Sequence, residues 1–274
     1  MTNQQTQTPA PRRVRPKPRM VTVKSVDLVT PACVRVMFTG PELEGFTTKG
    51  PAEHLKVLFA QPGQSQPVLP EWGPEGPVLK EGQSFPPSRT YTPRFWRPAT
   101  RELTVDFMLH GEGLASDWAR NAKAGDVMAV SGQPGGAWNI DSDADWYVLA
   151  ADASALPGLA TILEALPAGK TATVLVEVPN ADEHQPLESP ANLDVTWLHH
   201  GDAAPGPLIE QTIRELSLPA GEGRVWIGCE AAAMRDVRRH LLDDRGMDRT
   251  HIHTHGYWKA GTANHPDHDV GQEA

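Results

Sequence analysis

The chain has 274 residues, and its 25 basic and 34 acidic side chains give a net charge of −9. This length allows two domains of roughly 100–200 residues each, and the acidic balance argues against a nucleic-acid partner. No apolar run approaches the roughly 20 residues that span a bilayer, and the distant cysteines Cys33 and Cys229 suit a reducing compartment, so we expect a soluble cytoplasmic protein without membrane contact.

The first half of the chain has the pattern of an antiparallel β-barrel. Residues 1–19 carry Arg12 and Arg13 but no apolar core of signal-peptide length, which predicts a disordered basic tail. The runs of alternating apolar residues that follow are MVTVKSVDLV, CVRVMFTG, HLKVLFA, ELTVDFMLH and DVMAVSG. Because Gly and Pro turns separate them, we predict a barrel domain over residues 20–140. Its long loop from Gln61 to Pro87 is typical of a lid, a binding loop or disorder.

The second half alternates strands with helices. Predicted strands lie in WYVLAAD, TATVLVEVP, DVTWLHH and VWIGCE, and predicted helices lie in SALPGLATILEALP, PLIEQTIRELSLP and AAAMRDVRRHLLDDRG. This order predicts a parallel α/β sheet over residues 141–262, with ligands at the carboxyl ends of its strands, followed by a flexible tail over 263–274. The Gly-x-Gly-x-x-Gly spacing of a Rossmann dinucleotide site does not follow WYVLAAD.

Two features of the barrel point to an anion. In SRTYTPRF, Arg89 offers a planar charged fork and Tyr91, two residues later on a strand, offers a flat ring on the same side. Further along, Gly113 and Ser116 lead into a short helix, where Ser116 is a candidate cap and the free N–H groups suit a phosphate. Each feature alone is equally compatible with a solvated strand or with a plain helix cap.

Several short motifs occur in a fixed order along both halves. In the barrel they are Arg89-x-Tyr91-Thr92, His110-Gly111 and Gly113-x-x-Ser116 followed by Trp118-Ala119. In the α/β half they are ADASALP at 151–157, WIGCE at 226–230, MRDVR at 234–238 and GYWKAG at 256–261. With this ordered set, the chain from about Pro18 to Gly261 resembles the siderophore-interacting proteins, a branch of the ferredoxin-reductase-like flavoenzymes.

The resemblance implies an FAD bound by the barrel. It implies that Arg89 holds the FAD phosphate, that Tyr91 packs on the isoalloxazine ring, and that Thr92 lies near the reactive edge of the flavin. The other residues that we assign to this FAD site are Asp106, His110, Gly113, Ala115, Ser116 and Trp258.

The resemblance also implies NADH or NADPH at the α/β domain. The residues that we assign to the nicotinamide are Asp152, Cys229 and Glu230. Two positions depart from the family pattern, because Ala153 replaces an acidic residue and Cys229 replaces a smaller one. Cys229 can contact the cofactor or serve as a small buried filler. The choice between NADH and NADPH stays open.

The implied activity is transfer of electrons from NAD(P)H through FAD to ferric iron in a siderophore. Thr92 at the flavin edge and the basic pair Lys56 and Lys259, which would attract an anionic chelate, are the predicted catalytic residues. Many relatives carry an arginine near the position of Pro134, which this chain lacks. A general flavin-dependent electron transferase and a flavin- or siderophore-binding carrier are the alternatives. We expect a monomer.

The histidines near the C-terminus raise the question of a metal site. His251, His253 and His255 alternate in THIHTHGYW, but metal sites seldom use alternating residues of one strand, so we predict a polar strand edge and no metal. The tail histidines, His265 and His268, are expected to be solvated.

Overall fold

The computed structural model describes residues 16–74, 76–266 and 269–271. The strands of the N-terminal half are β1 Arg19–Thr30, β2 Cys33–Thr39, β3 Leu55–Leu58, β4 Glu71–Gly73, β5 Gly76–Val78, β6 Ser88–Tyr91, β7 Phe95–Arg97, β8 Glu102–Met108 and β9 Val127–Val130. The later elements are α1 Leu114–Asn121, β10 Trp146–Asp152, α2 Leu156–Ala165, β11 Thr171–Val178, β12 Asn192–His199, α3 Pro207–Glu215, β13 Gly223–Glu230, α4 Ala231–Arg239 and β14 Ile252–Trp258. None of the helices in these ranges is long and apolar enough to cross a membrane.

The N-terminal sheet is an antiparallel half-barrel. Its strand order is β6-β3-β9-β1-β2-β8-β7, and β4 pairs with β5 in a separate hairpin within the long loop. Alternating residues of these strands point inward and form one core, whose members include Val21, Val23, Val34, Val36, Phe38, Val57, Val105, Phe107 and Val130. Within the described ranges no ladder joins β6 to β7, so the predicted barrel is present in an open form.

The C-terminal sheet is parallel, as the alternation of strands and helices predicts. Its order is β12-β11-β10-β13-β14, with β10 in the centre and every residue of β10 buried. The chain moves outward from β10 through β11 to β12 and then returns to the other side of β10. This reversal creates a switch point between the carboxyl ends of β10 and β13, where α/β proteins bind ligands.

The two halves are fixed to each other by direct polar contacts. Glu183, which is 4% exposed, accepts hydrogen bonds from Thr30 Oγ1 at 2.5 Å and from Ala32 N at 3.0 Å. Arg94 Nη2 lies 2.6 Å from Glu164 Oε1. These contacts join the half-barrel to α2 and to the segment that follows β11.

The C-terminal segment packs on the sheet. Gly256 N donates to Asp269 O at 2.8 Å, and Thr254 Oγ1 donates to Val270 O at 2.8 Å. His265 is 7% exposed and lies 2.8 Å from Asp269, so the prediction that His265 is solvated is wrong. This placement differs from the flexible tail expected from the polar composition. His268, residues 272–274 and residues 1–15 of the predicted basic tail lie outside the described residues, whereas Arg19 belongs to β1.

Candidate functional site

A cleft of about 670 Å³ lies between the half-barrel and the carboxyl ends of the C-terminal strands. The sequence-predicted residues that line it are Arg89, Tyr91, Thr92, Asp106, His110, Gly113, Ala115, Asp152, Trp258 and Lys259. Those that do not line it are Lys56, Ser116, Cys229 and Glu230. The structure therefore brings together residues from β6, β8, α1, β10 and β14 that are far apart in the sequence.

Arg89 and Tyr91 present a charge and a ring to this cleft. Arg89 Nη1 donates to Ser88 O at 2.8 Å, and no described carboxylate lies within ion-pair distance of Arg89. The ring of Tyr91 packs against Phe107, with ring centroids 4.4 Å apart. Burial raises the pKa of Tyr91, so the ring stays uncharged at neutral pH. The alternative of a fully solvated strand does not describe β6.

The start of α1 lies on the opposite part of the same cleft. Asp117 N makes the first intrahelical bond, to Gly113 O at 2.8 Å, which leaves the preceding N–H groups of the first turn without helical partners. Leu114 and Ala115 line the cleft. Ser116 is not the cap, because the helix begins two residues earlier; its Oγ accepts from His110 N at 3.1 Å and is buried. Ser116 thus shapes the loop before the helix.

Asp106 lines the cleft but already has a partner. Arg35 donates to both of its carboxylate oxygens, from Nε to Oδ1 and from Nη2 to Oδ2, each at 2.7 Å. This bidentate pair neutralises the charge of Asp106, which is 3% exposed. Asp106 therefore also supports the wall formed by β8, and its contact with FAD stays a prediction.

Thr92 is connected to Tyr257, a residue of the GYWKAG motif that was not assigned to the site. Thr92 is 6% exposed, and its side chain is hydrogen-bonded to the hydroxyl of Tyr257 at the end of β14. Tyr257 also approaches α2 closely, because a Cβ atom placed on Gly158 would lie 2.5 Å from the tyrosine oxygen. Burial raises the pKa of Tyr257, and the hydrogen bond with Thr92 lowers it. In the sequence, the signal for this close approach is Gly158, a glycine within a predicted apolar helix.

Asp152 and Trp258 form the far wall of the cleft. Trp258 Nε1 donates to Asp152 Oδ2 at 2.7 Å, and Asp152 Oδ1 accepts from Ser154 N at 2.9 Å. Asp152 is 2% exposed, and burial raises its pKa. This bond joins the ends of β10 and β14 and fixes the indole ring at the cleft.

Cys229 and Glu230 do not reach the cleft, which corrects their predicted contact with a nicotinamide. Cys229 is 0% exposed, and burial raises the pKa of its thiol, so it serves as a core filler. Glu230 caps α4, because Oε2 accepts from Ala232 N at 2.6 Å and from Ala233 N at 3.2 Å.

The two predicted lysines differ in position. Lys259 lines the cleft directly. Lys56 lies behind the cleft wall, where its Nζ is 3.4 Å from Thr90 Oγ1.

Three histidines that were not assigned to the site also line the cleft, namely His54, His200 and His255. The rings of His54 and His255 come from different halves of the protein, with centroids 5.8 Å apart. His253 is partly exposed, and burial lowers its pKa. In the described part of the chain no group of three side chains has the arrangement of a metal site. The sequence could not pair His54 with His255, because their contact depends on how the two halves dock.

The fold and the cleft together define a class of protein. A half-barrel followed by a five-stranded parallel α/β sheet is shared with a ferredoxin NADP⁺ reductase from Neisseria gonorrhoeae, at a TM-score of 0.61 and 16% identity over 88% of this chain and 99% of that chain. The protein therefore has the ferredoxin-reductase-like fold.

Family models identify the branch. Residues 22–138 match the siderophore-interacting FAD-binding domain, and residues 144–261 match the siderophore-interacting protein model. The chain belongs to the siderophore-interacting protein family, as its ordered motifs predicted.

Solved and curated relatives match over most of their lengths. The structure of a siderophore utilization protein from T. fusca aligns at a TM-score of 0.83 and 34% identity over 92% of this chain and 96% of that one. The ferric vibriobactin reductase of Vibrio cholerae is 29% identical over 92% of this chain and 93% of its own length. The NADPH-dependent ferric-chelate reductase of Escherichia coli is 30% identical over 91% of this chain and 97% of its own length.

Proposed function

We propose that this protein is a ferric-siderophore reductase that passes electrons from a reduced nicotinamide, NADH or NADPH, through FAD to the iron of a ferric siderophore. Relatives named as a ferric vibriobactin reductase and as an NADPH-dependent ferric-chelate reductase support this activity. The observation that carries the proposal is the single cleft that joins Arg89, the start of α1 and the Asp152–Trp258 wall. The cytoplasm, where nicotinamides are continually reduced, is the compartment that suits this reaction.

The residues at the cleft fit FAD. Among the described residues no carboxylate pairs with Arg89. At the start of α1, Gly113 N donates to Asp117 Oδ2 at 3.1 Å, whereas the N–H groups of Leu114 and Ala115 have no helical partner. A guanidinium and a helix start are the two elements that bind a pyrophosphate. Tyr91 would stack on the isoalloxazine ring, and Thr92, held by Tyr257, would lie at the edge of the ring. When bound, FAD supplies the ability to accept a pair of electrons and to release them singly.

The protein's own contribution is to attract and orient the chelate. A ferric siderophore with phenolate or hydroxamate ligands is often anionic, and Lys259 places a positive charge on the cleft in a chain of net charge −9. Oxygen ligands hold Fe(III) more strongly than Fe(II), so reduction releases the iron without coordination by the protein. Lys56 would act from behind the wall, through the field rather than by contact.

Anaerobic mixing of the purified protein with FAD, a reduced nicotinamide and a ferric siderophore tests the function, with an Fe(II)-specific chelator as the detector. We expect a yellow protein after desalting, bleaching of the flavin by the nicotinamide, and formation of the Fe(II) complex. Bleaching without Fe(II) would favour a general electron transferase, and a flavin that the nicotinamide cannot bleach would favour a carrier. A protein unable to retain FAD would contradict the proposal.

A further inference from the structure

Three neighbouring strands of the C-terminal sheet end in buried carboxylates. Asp152 ends β10, Glu230 ends β13, and Glu177 is the penultimate residue of β11. Their exposed fractions are 2%, 7% and 0%. These residues stand at the edge of the sheet where an α/β domain usually receives the phosphates of a dinucleotide.

Each carboxylate accepts hydrogen bonds from the backbone at the start of the next helix. Asp152 Oδ1 accepts from Ala155 N, immediately before α2, at 3.3 Å. Glu177 accepts from Gly206 N at 2.8 Å and from Ile209 N at 3.1 Å, at the start of α3. The pair of bonds from Glu230 to α4 completes the set. The chain's own carboxylates therefore accept from some of the N–H groups at or just before all three helix starts.

This arrangement removes the usual means of holding a pyrophosphate. In dinucleotide-binding folds the phosphate accepts from free N–H groups at a helix start, and glycines let it approach the backbone. Here some of these N–H groups are already bonded to carboxylates, and the glycine spacing is missing after β10. A phosphate would have to approach buried carboxylate oxygens, which are hydrogen-bond acceptors like its own oxygens. Asp152 and Glu230 stand on the two sides of the switch point between β10 and β13.

We propose that Asp152, Glu177 and Glu230 exclude the phosphates of the electron donor from the strand ends, so that the donor is recognised by its dihydronicotinamide ring and gains little affinity from its adenylate half. This inference rests on the proposed function. The substrate class that follows is broad: NADH, NADPH and a truncated dihydronicotinamide without phosphate are donors of similar efficiency.

Titration of the FAD-loaded protein with ADP and with 2′,5′-ADP tests the inference by binding alone. FAD must be bound first, since its own ADP half would otherwise compete for the cleft. We expect a dissociation constant above about 1 mM for both nucleotides, which is the weak-binding end of the affinity scale. A constant below that value for either nucleotide would overturn the inference.

Reduction of bound FAD by 1-benzyl-1,4-dihydronicotinamide, NADH and NADPH provides the kinetic arm. Each rate is divided by the rate at which the same donor reduces free FAD, which removes differences in intrinsic reactivity. We expect normalised kcat/KM values within about tenfold of one another, equivalent to about 1.4 kcal/mol. A normalised kcat/KM more than about tenfold higher for NADH or NADPH than for the truncated donor would show that the protein binds the adenylate half.

The variant Asp152→Ser should free N–H groups before α2 and lower the ADP dissociation constant at least about tenfold. Asp236→Ser is the matched control, because it removes the same charge from an exposed site on α4 that pairs with Arg239. If Asp152→Ser retains FAD but does not bind ADP more tightly, the proposed role of Asp152 is contradicted. If this variant does not fold, the nucleotide titration and the donor rates of the native protein decide the inference. Fe(II) release by dithionite-reduced protein tests the proposed function separately from any of these outcomes.

Discussion

Arg89 combines a permanent charge with a place on the cleft, and within the described residues its side chain donates to the carbonyl oxygen of Ser88. Arg35, another guanidinium near this wall, is matched by Asp106. Among the described residues Arg89 has no such counter-charge, which favours an anionic ligand. At the scale of single residues, we therefore expect FAD binding to depend most directly on Arg89.

Replacing Arg89 with alanine should weaken FAD binding by about 2 kcal/mol, which is roughly thirtyfold in Kd, because a charged hydrogen bond to phosphate is lost. Quenching of flavin fluorescence during titration of the apoprotein measures the change. Arg97→Ala is the control, since Arg97 is 59% exposed and contacts Glu102 at 3.5 Å. An equal loss in both variants would show that Arg89 acts only through general charge.

Several residues that the sequence assigned to the site are hydrogen-bonded to other parts of the protein or buried in its core. Cys229 and Glu230 do lie at the end of a central strand, but one side chain points into the core and the other turns onto α4. Asp106 and Ser116 are likewise occupied by protein partners. Sequence spacing locates a strand end, whereas hydrogen bonds formed after folding decide which group remains available to a ligand.

At the scale of elements, the packing of α2 against β14 positions the end of β6. Gly158 lies in the first turn of α2, where it leaves room for the hydroxyl of Tyr257. Tyr257 in turn is bonded to Thr92, which follows β6. One helix from the C-terminal half thus sets the position of a predicted catalytic residue in the N-terminal half.

Gly158→Ala should therefore destabilise the protein by about 1–3 kcal/mol through overpacking, although this change inside a helix usually stabilises by about 1 kcal/mol. Urea unfolding followed by circular dichroism measures the difference. Gly135→Ala is the control, because a Cβ there meets no atom within 4 Å, and it should change stability by less than about 0.5 kcal/mol. A stabilised Gly158→Ala would show that Tyr257 does not need its present position.

Elements were more predictable than contacts between them. Alternating apolar residues identified β1, β2 and β8, and the strand–helix alternation identified the parallel sheet, because periodicity follows directly from burial on one or both faces. The C-terminal segment was not predicted to pack, since its polar sequence has no periodicity. Its bonds to Gly256 and Thr254 depend on an edge strand that exists only in the folded protein.

At the scale of the whole molecule, the charge distribution matters more than the net charge. The chain carries −9, which repels an anionic chelate, yet Lys259 and Arg89 bring positive charge to the cleft. A local positive field within an acidic surface raises the concentration of an anion at one place only. Substrate attraction should consequently depend on ionic strength.

Lys259→Ala should raise the KM for an anionic ferric chelate about threefold to tenfold at low salt, with the difference shrinking as salt screens the charge. The KM for NADH should change less than about twofold, because the lysine steers the chelate. Lys123→Ala is the control, since Lys123 is 78% exposed and pairs with Asp126 away from the cleft. Equal increases in both Michaelis constants would rule out steering by Lys259.

Glu183, buried between the halves and bonded to both Thr30 and Ala32, joins two bodies that in many chains rotate freely about a linker. Since the two halves line one cleft, we expect the oxidised donor to leave before the ferric chelate binds. This order predicts parallel lines in double-reciprocal plots of initial rates, and intersecting lines would show that the donor and the chelate bind at the same time.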